Sequence, residues 1–592
     1  MLINNLKEKF FFDLKNYFFN KTPVFKDKNT EKIFQSIRFE EPKSKVFGDL
    51  STNAAMVLAS YTKSKPMDIA EEIGENIIKN YGEVSSVEVV SPGFINFNIK
   101  DSYLFDKISE IFKLNENFGK NNLGSNKKIQ IEYVSSNPTG NLHIGHGRWG
   151  VMGDILSNIY KYNGYDVCRE YYVNDYGTQA KVFGNCVKSL YLKKMNIDWP
   201  YPLDGYPVET VNVVADKLYE KFSDKFILYP KDYTQKVDIE EIITDDESIE
   251  KNSIDIMLSS IKETLKAIGV EFDVWFFESS LYENGNFEKV LDFLRNKNLT
   301  YEKEGALWFK STLYGDDKDR VIIRSDGNPT YFASDIMYLI NKKERGFDYL
   351  IYILGADHHG YVPRLKAIAK SIGLEDDAIS IIIGQLVRIV EGKEVIKMSR
   401  RKGRGVTLDD LVEEVGKDAI RFFFSMNSFD THMDFDISLA KKKSNQNPVF
   451  YAQYAYARIS SVIRKLIERN PENILQDEIN ILKNNQVDKF NIFYEKALDL
   501  KKSEFKNSSE RSLLWTMLLF PDVLYDSCKN NAPYLVNQYI YKLAGEFHYF
   551  YNHNIIISKN KVNIERLTFI LAARIILKNG FDILGISAPE KM

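Results

Sequence analysis

Apolar residues recur at helical spacing over Leu6–Phe19 and again over Met67–Tyr81. Pro92 to Ile99 alternates apolar and polar side chains, as a strand with one covered face does. Residues 1–115 are therefore expected to fold as a separate α+β unit. Glu116–Lys127 is polar, carries Gly119 and Gly124, and reads as a linker. From Ile129 the pattern changes. Short apolar, β-rich runs (Ile129–Tyr133, Val167–Val173, Asp348–Leu354, Ile379–Leu386) alternate with helical stretches. That alternation predicts a multidomain α/β chain whose central unit, residues 116–446, is a Rossmann-like, doubly wound parallel sheet. Residues 188–304 interrupt it with a proline-rich bend (Trp199–Pro202), long helical segments and an acidic run at Asp245–Glu247; they read as an insertion. The acidic run has the look of a solvated face. From Asn447 to Met592 strand signals nearly vanish. Helices are expected from Tyr451 onward, over Ser512–Ser527 and Ala532–Tyr551, and over Arg566–Lys578, the last closed by Gly580. Residues 447–592 should form an all-α helical bundle.

Bulk properties narrow the function classes. A chain of 592 residues exceeds what one core supports, in keeping with three units. No apolar run approaches the length of a membrane span, and the N-terminus lacks a signal-peptide plan, so a cytoplasmic protein without a membrane partner is expected. Cys168, Cys186 and Cys528 are dispersed without metal spacing, which fits a reduced compartment and gives no metal site. The formal net charge is −3, so any nucleic-acid contact must come from local basic patches. The 35 Tyr and 39 Phe serve mainly as core filling, with base-stacking platforms as the alternative use.

Candidate chemistry begins at His143-Ile144-Gly145-His146, which holds two of only seven histidines. A strand (Ile129–Tyr133) breaks at Asn137-Pro138-Thr139-Gly140, and a helix starts near His146 with an apolar stripe at Val151, Ile155 and Ile159. Strand, glycine-punctuated turn and helix start place backbone N–H groups where a phosphate can sit. His143 and His146, three apart, can face one bound group. Gly145 and Gly147 have no side chains, so a purine or phosphate chain can come close to the backbone. The plainer alternative is a pair of capping histidines. A second basic motif, Lys397-Met398-Ser399-Arg400-Arg401-Lys402-Gly403, lies on a glycine-flanked loop after the last sheet strand. Its cations could close over the β- and γ-phosphates of a nucleotide and neutralise charge as pyrophosphate leaves. On its own such a loop is more often a solvated surface. His143, His146 and Lys397 are the candidate catalytic residues, and Gly140, Gly145, Ser399 and Arg400 complete the candidate ATP site.

With these motifs in view, the chain resembles the class I aminoacyl-tRNA synthetases, specifically the bacterial arginyl-tRNA synthetases, over essentially its whole length. Phe47–Ala55 and Ser91–Asn96 are similar to that family's N-terminal additional domain, which touches the outer corner of tRNA. Tyr172–Gly177, Gly355–Gly360, Val406–Leu411 and Ala419–Phe423 resemble catalytic-domain blocks, and Leu584–Met592 resembles the usual C-terminus. The family's second motif ideally ends in lysine where this chain has Arg400, and arginine differs from lysine in geometry. The resemblance implies a monomer that uses ATP with Mg2+, L-arginine and tRNA(Arg). It also implies an anticodon-binding helical domain and activation that needs bound tRNA. It carries the amino-acid contacts onto Glu132, Asn137, Tyr331 and Asp335; a guanidinium calls for planar carboxylate partners. Asp335 could otherwise be a capping or surface carboxylate. Candidate tRNA contacts are Asn53, Phe94, Tyr451, Tyr454 and Arg458, of which the last three could equally be ordinary helix residues. His358 and His359 either line the pocket or cap a strand end. The rivals are a free-standing nucleotidyltransferase, a cysteinyl synthetase (whose zinc site three dispersed cysteines cannot build) and an inactive RNA-binding relative.

Overall fold

The computed structural model describes residues 3–21, 33–34, 36–42, 44–229, 239–392, 394–395, 407–499 and 505–592. Near the N-terminus, α1 (Ile3–Lys21) and α2 (Pro66–Asn80) pack on four antiparallel strands: β1 (Phe39–Glu40), β2 (Leu50–Thr52), β3 (Val84–Val90) and β4 (Phe94–Ile99). Ile69, Ile73 and Ile77 recur every four residues of α2 and are its buried stripe. The alternation read in β4 puts Ile95, Phe97 and Ile99 in the core.

Five strands make the central parallel sheet: β5 (Lys128–Glu132), β6 (Asp166–Val173), β7 (Val274–Phe277), β8 (Tyr349–Gly355) and β9 (Ile379–Gly384). Their spatial order is β9-β8-β5-β6-β7. Helices cover the sheet's faces, and β8 (Tyr-Leu-Ile-Tyr-Ile-Leu-Gly) reads accordingly as one nearly unbroken apolar run. The helix after β5, α3 (Ile144–Tyr162), is buried nearly all round, with Val151, Met152, Ile155, Leu156 and Ile159 fully covered.

Strand β7 lies inside residues 188–304, so the stretch expected as an insertion supplies the sheet's edge strand. Four residues between helices carry too little period-two signal to stand out. Helices α4 (Thr178–Lys193), α5 (Val208–Phe222) and α6 (Asp246–Ala267) pack beside one another before it. The acidic run there is not simply a solvated face. Asp245 caps α6 by accepting from Ser248 N at 3.1 Å, and Asp246 pairs with the buried Lys188 at 2.8 Å. Negative side chains belong at that end of a helix. Helix α7 (Tyr331–Glu344) precedes β8.

The C-terminal unit is helical, built on α8 (Pro448–Arg469), α9 (Ser508–Leu518), α10 (Phe520–Lys529), α11 (Tyr534–His553) and α12 (Ile564–Leu584) with shorter helices and one small hairpin. The helix expected over Ser512–Ser527 is two, because Pro521 in the first turn of α10 has no N–H to continue α9. Conversely, α12 runs straight through Gly580 and stops at Gly585, whose φ is +68°. Gly580 serves packing instead: a Cβ there would lie 2.0 Å from Ile540 Cδ1 of α11.

One buried side chain joins the helical unit to the sheet. Arg421 donates to Asp154 Oδ2 on α3 (2.6 Å), to Ile268 O and Gly269 O after α6 (both 3.0 Å), and to Leu584 O at the end of α12 (2.6 Å). No described helix is long and apolar enough to cross a membrane.

Candidate active site at the switch point of the sheet

Strand β5 has β6 on one side and β8 on the other, so the winding of the sheet reverses between β5 and β8. Such a reversal opens a crevice at the carboxyl ends of the strands. A cleft of about 590 Å3 lies there. Its walls include Glu132 at the end of β5, residues 134–137 and 139–141, His143 and His146 of the α3 start, Gly355 at the end of β8, and Tyr331 and Asp335 of α7.

The loop leaving β5 is strained. Val134 and Ser135 have φ of +69° and +41°, and a β-branched residue in that region costs of order 1–3 kcal/mol. The neighbouring strand β6 holds the conformation. Tyr172 N donates to Ser135 Oγ at 3.1 Å, and the Tyr171 hydroxyl donates to Ser136 O at 2.7 Å. The detour turns the chain into the cleft before α3 begins.

His143 is the N-cap of α3 and His146 its third residue. Each ring Nδ1 accepts the other residue's backbone N–H, at 3.2 and 3.3 Å. The two imidazoles stack with centroids 3.5 Å apart. The two rings thus cap the helix and also line the cleft. Because each Nδ1 is an acceptor, each proton sits on Nε2. Burial lowers both pKa values, and the adjoining His143 ring helps bring His146 down to about 3. Both rings are neutral at pH 7.

The glycines of this motif have other uses than those expected. A Cβ on Gly145 would meet His143 Cε1 at 2.9 Å, so its absence permits the ring stack. A Cβ on Gly147 would meet Leu408 Cδ1 at 2.6 Å, so the close approach there is by the chain itself. Gly140 does line the cleft, with open space beside it.

Part of the cleft lining is acidic. Glu132, Glu278 and Asp335 all face the cleft. Glu132 Oε2 accepts from the buried Lys342 Nζ at 2.5 Å, while Oε1 takes a long bond from Ser135 Oγ at 3.4 Å. Glu278, just after β7, accepts from Ser334 Oγ at 2.7 Å. Asp335 has no hydrogen bond or ion pair among the described residues. Burial, then Glu278 and Glu132, push its carboxyl up to about 7, with Arg364 pulling the other way. Tyr331, half-exposed, stands one helical turn before it at the mouth. Asn137 Nδ2 donates to Gln179 Oε1 at 2.7 Å, also on the cleft wall. His358 lines the cleft and packs against Tyr361, whereas His359 is exposed and outside the lining.

Lys397, Ser399 and Arg400 lie outside the described residues. The flanks are described. Glu394–Val395 pairs antiparallel with the end of β10 (Val387–Glu391), and Thr407 forms a β-bridge with His143. Leu408 N donates to Leu142 O at 3.2 Å, so one root of the basic loop is fastened to the histidine turn.

Comparison with known proteins agrees with this arrangement. A family model described as "tRNA synthetases class I (R), catalytic domain" matches residues 107–459. "Arginyl tRNA synthetase N terminal domain" matches 18–99, and "DALR anticodon binding domain" matches 452–592. The arginine–tRNA ligase of Caldanaerobacter subterraneus is 42% identical over 568 residues, 95% of each chain. This chain belongs to the arginyl-tRNA synthetase family. The Bacillus subtilis arginine–tRNA ligase is 40% identical over 564 residues, again 95% of each. A solved structure described as a putative arginyl-tRNA synthetase from Campylobacter jejuni superposes with TM-score 0.70 at 32% identity, covering 83% of this chain and 100% of that one. Thermus thermophilus arginyl-tRNA synthetase gives 0.71 at 18% identity over 100% of both, a likeness of fold.

Elsewhere on this synthetase, Tyr451, Tyr454 and Arg458 of α8 line a groove of about 620 Å3 with Lys443, Phe450 and His548. Tyr454 stacks on Phe450 and His548, and the Arg458 guanidinium lies 5.0 Å from the Tyr454 ring. Phe94 is 41% exposed. Asn53 spends both ends of its amide on the chain, accepting from Arg38 N at 2.6 Å and donating to Ser36 O at 3.4 Å. Sequence reading missed Glu278, because β7 was hidden; the signal is an acid directly after Val-Trp-Phe-Phe. It also missed Tyr338 and Lys342, whose signal is their helical spacing from Tyr331 and Asp335. His548 comes from α11 and nothing local marks it.

Proposed function

We infer that this chain is an arginine–tRNA ligase that joins L-arginine to tRNA(Arg) at the expense of ATP, through an arginyl-adenylate. One observation carries the reading: a single cleft is lined by paired neutral imidazoles and by acidic side chains that include an unpartnered carboxylate, Asp335. The acidic side chains take the guanidinium. Asp335 offers both oxygens, Glu132 offers Oε1 since Lys342 holds Oε2, and Glu278 adds its charge. Tyr331 packs against the substrate's stem and Asn137 holds the α-amino group. His143 and His146 donate Nε2–H to phosphate oxygens, with Gly140 and Gly145 in the same turn.

The arginine carboxylate then attacks the α-phosphorus, forming the mixed anhydride while the bond to the β-phosphate oxygen breaks. Pyrophosphate leaves toward Lys397, Ser399 and Arg400. In the second step the 2′-hydroxyl of the terminal ribose attacks the activated carbonyl and AMP departs. No protein nucleophile is involved; positioning and charge stabilisation suffice. Magnesium bound by the nucleotide would neutralise phosphate charge.

Domain limits near residues 115 and 446 follow this reading. Phe94 and Asn53 belong to the part that meets the tRNA corner, and Tyr451, Tyr454 and Arg458 to the part that meets the anticodon. The enzyme acts as a cytoplasmic monomer and needs bound tRNA for activation, in keeping with its family. ATP–pyrophosphate exchange against a panel of amino acids, with and without tRNA, is the test. Arginine alone should support exchange, and only with tRNA present. Exchange driven by another amino acid would overturn the substrate assignment; equal rates without tRNA would remove the tRNA requirement.

A further inference from the structure

Helix α7 carries more of the cleft than its first turn. Tyr331, Asp335, Tyr338 and Lys342 fall at spacings of four, three and four, one stripe running from the mouth to the floor. At the bottom sits the ammonium of Lys342, fully buried. It lies 4.1 Å from the Tyr338 ring centroid and 3.8 Å from that of Tyr352. Its hydrogen-bond partner is Glu132 Oε2. Beneath it a second acid, Glu170, is already met by Arg345, by the Tyr338 hydroxyl (2.5 Å) and by Gln130 (2.8 Å). Lys342 is thus assigned to Glu132 and not to the layer below.

Fold stability alone is a poor reason for such a pair. An ion pair out of water repays its desolvation weakly, and an apolar replacement of similar size is often neutral. The geometry supplies a better one. A carboxylate next to Asp335 and Glu278 would, without a counter-charge, be repelled and swing away from its neighbours. Held by one oxygen, Glu132 is fixed in place, with the other oxygen turned to the Ser135 side of the cleft. The aromatic faces on either side help exclude water; Glu170 also attracts the ammonium, but only Glu132 is hydrogen-bonded to it.

We propose that Lys342 is a positioning residue of the arginine site: a built-in ammonium that clamps one oxygen of Glu132 so that the other is held in place facing the substrate guanidinium. This rests on the arginine-site reading given above. Lys342 touches no substrate; it acts through Glu132.

The test compares full-length wild type, Lys342→Met, Lys342→Ala and Asp335→Asn in tRNA-dependent ATP–pyrophosphate exchange. Lys342→Met keeps the volume and removes the charge. Its KM for arginine should rise at least about 30-fold, the scale for breaking a buried charge pair, while kcat at saturating arginine and KM for ATP stay within about threefold. Lys342→Ala should regain arginine affinity on addition of propylammonium but not of propanol, because the missing element is a charge. A KM for Lys342→Met within about threefold of wild type, with Asp335→Asn impaired, overturns the proposal and leaves the arginine site standing. Equal rescue by propanol, or a parallel loss in kcat and in both KM values with a lowered melting temperature, shows a merely structural lysine and overturns it too. Normal arginine affinity in Asp335→Asn overturns the site reading itself.

Discussion

Arginine affinity should depend on a proton at Asp335. In the empty cleft this carboxyl is pushed up to about 7, by burial first and then by Glu278 and Glu132, with Arg364 opposing. A guanidinium needs the ionised form, so proton and substrate compete. The sign follows: affinity is full above pH 7 and is lost as pH falls through 7. With a midpoint near 7, about nine-tenths of Asp335 is ionised at pH 8 and about one-tenth at pH 6; apparent Kd scales inversely with that fraction. The KM for arginine should therefore rise about tenfold from pH 8 to pH 6. Glu278, also raised by burial, acts in the same direction. His146, near 3, is neutral throughout this window, and burial lowers His143 below its ordinary value. The tyrosines beside Asp335 (Tyr172, Tyr352 and Tyr361) do not contribute, all raised and protonated. Calorimetry in two buffers of different ionisation enthalpy would count the proton released, about half per arginine at pH 7. Asp335→Asn should bind weakly and show no slope. A wild-type KM flat from pH 6 to 8, or an unchanged slope in Asp335→Asn, would refute the reasoning.

The same shift predicts that Asp335→Asn stabilises the arginine-free protein. A carboxyl raised from 3.8 to about 7 penalises the fold increasingly from pH 4 to 7 and by a constant amount above, at most about 4 kcal/mol; melting temperatures at pH 5 and 8 check this, and a fall at pH 8 contradicts it. Gly580→Ala puts a methyl 2.0 Å from Ile540 Cδ1 and should cost about 1–3 kcal/mol in denaturant unfolding without altering KM for arginine. His146→Ala removes a proposed phosphate donor and the ring stack; kcat for exchange should drop about 100-fold or more with little change in arginine KM. Tyr454→Ala, in the α8 groove, should weaken tRNA binding about tenfold and leave the KM values for ATP and arginine as they were.

Part of the cleft was legible because its residues are marked locally. The His143–His146 turn declares itself by strand, break and helix start, whereas Tyr331 and Asp335 are identified through the family resemblance and only their four-residue spacing is local. What stayed hidden depends on distance in the chain. Glu278 lies 146 positions from Glu132, after a strand of only four residues. The use of Gly145 and Gly147 could not be read either, since a missing Cβ looks the same whether it admits a ligand, a stacked ring or Leu408. Gly580 failed as a stop signal for the same reason: glycine at a tight helix crossing and glycine at a helix end are indistinguishable until the partner, Ile540, is in place. The change from strand-and-helix alternation to nearly pure helical periodicity is legible in the sequence, whereas the edge strand within 188–304 and the small antiparallel sheets are not.

Arg421 carries a consequence for how the molecule assembles. Its guanidinium closes chain separations of 267 residues to Asp154 and 163 to Leu584. Loops that long are slow to shut, so this node forms late in folding. Until it does, Asp154 on the helix bearing the histidine pair has only Arg169 of its two guanidinium partners. Refolding should therefore recover helical circular dichroism well before catalytic activity, and Gly585→Ala, whose methyl would intrude within 2.4 Å of Arg421 Nη2, should widen that lag.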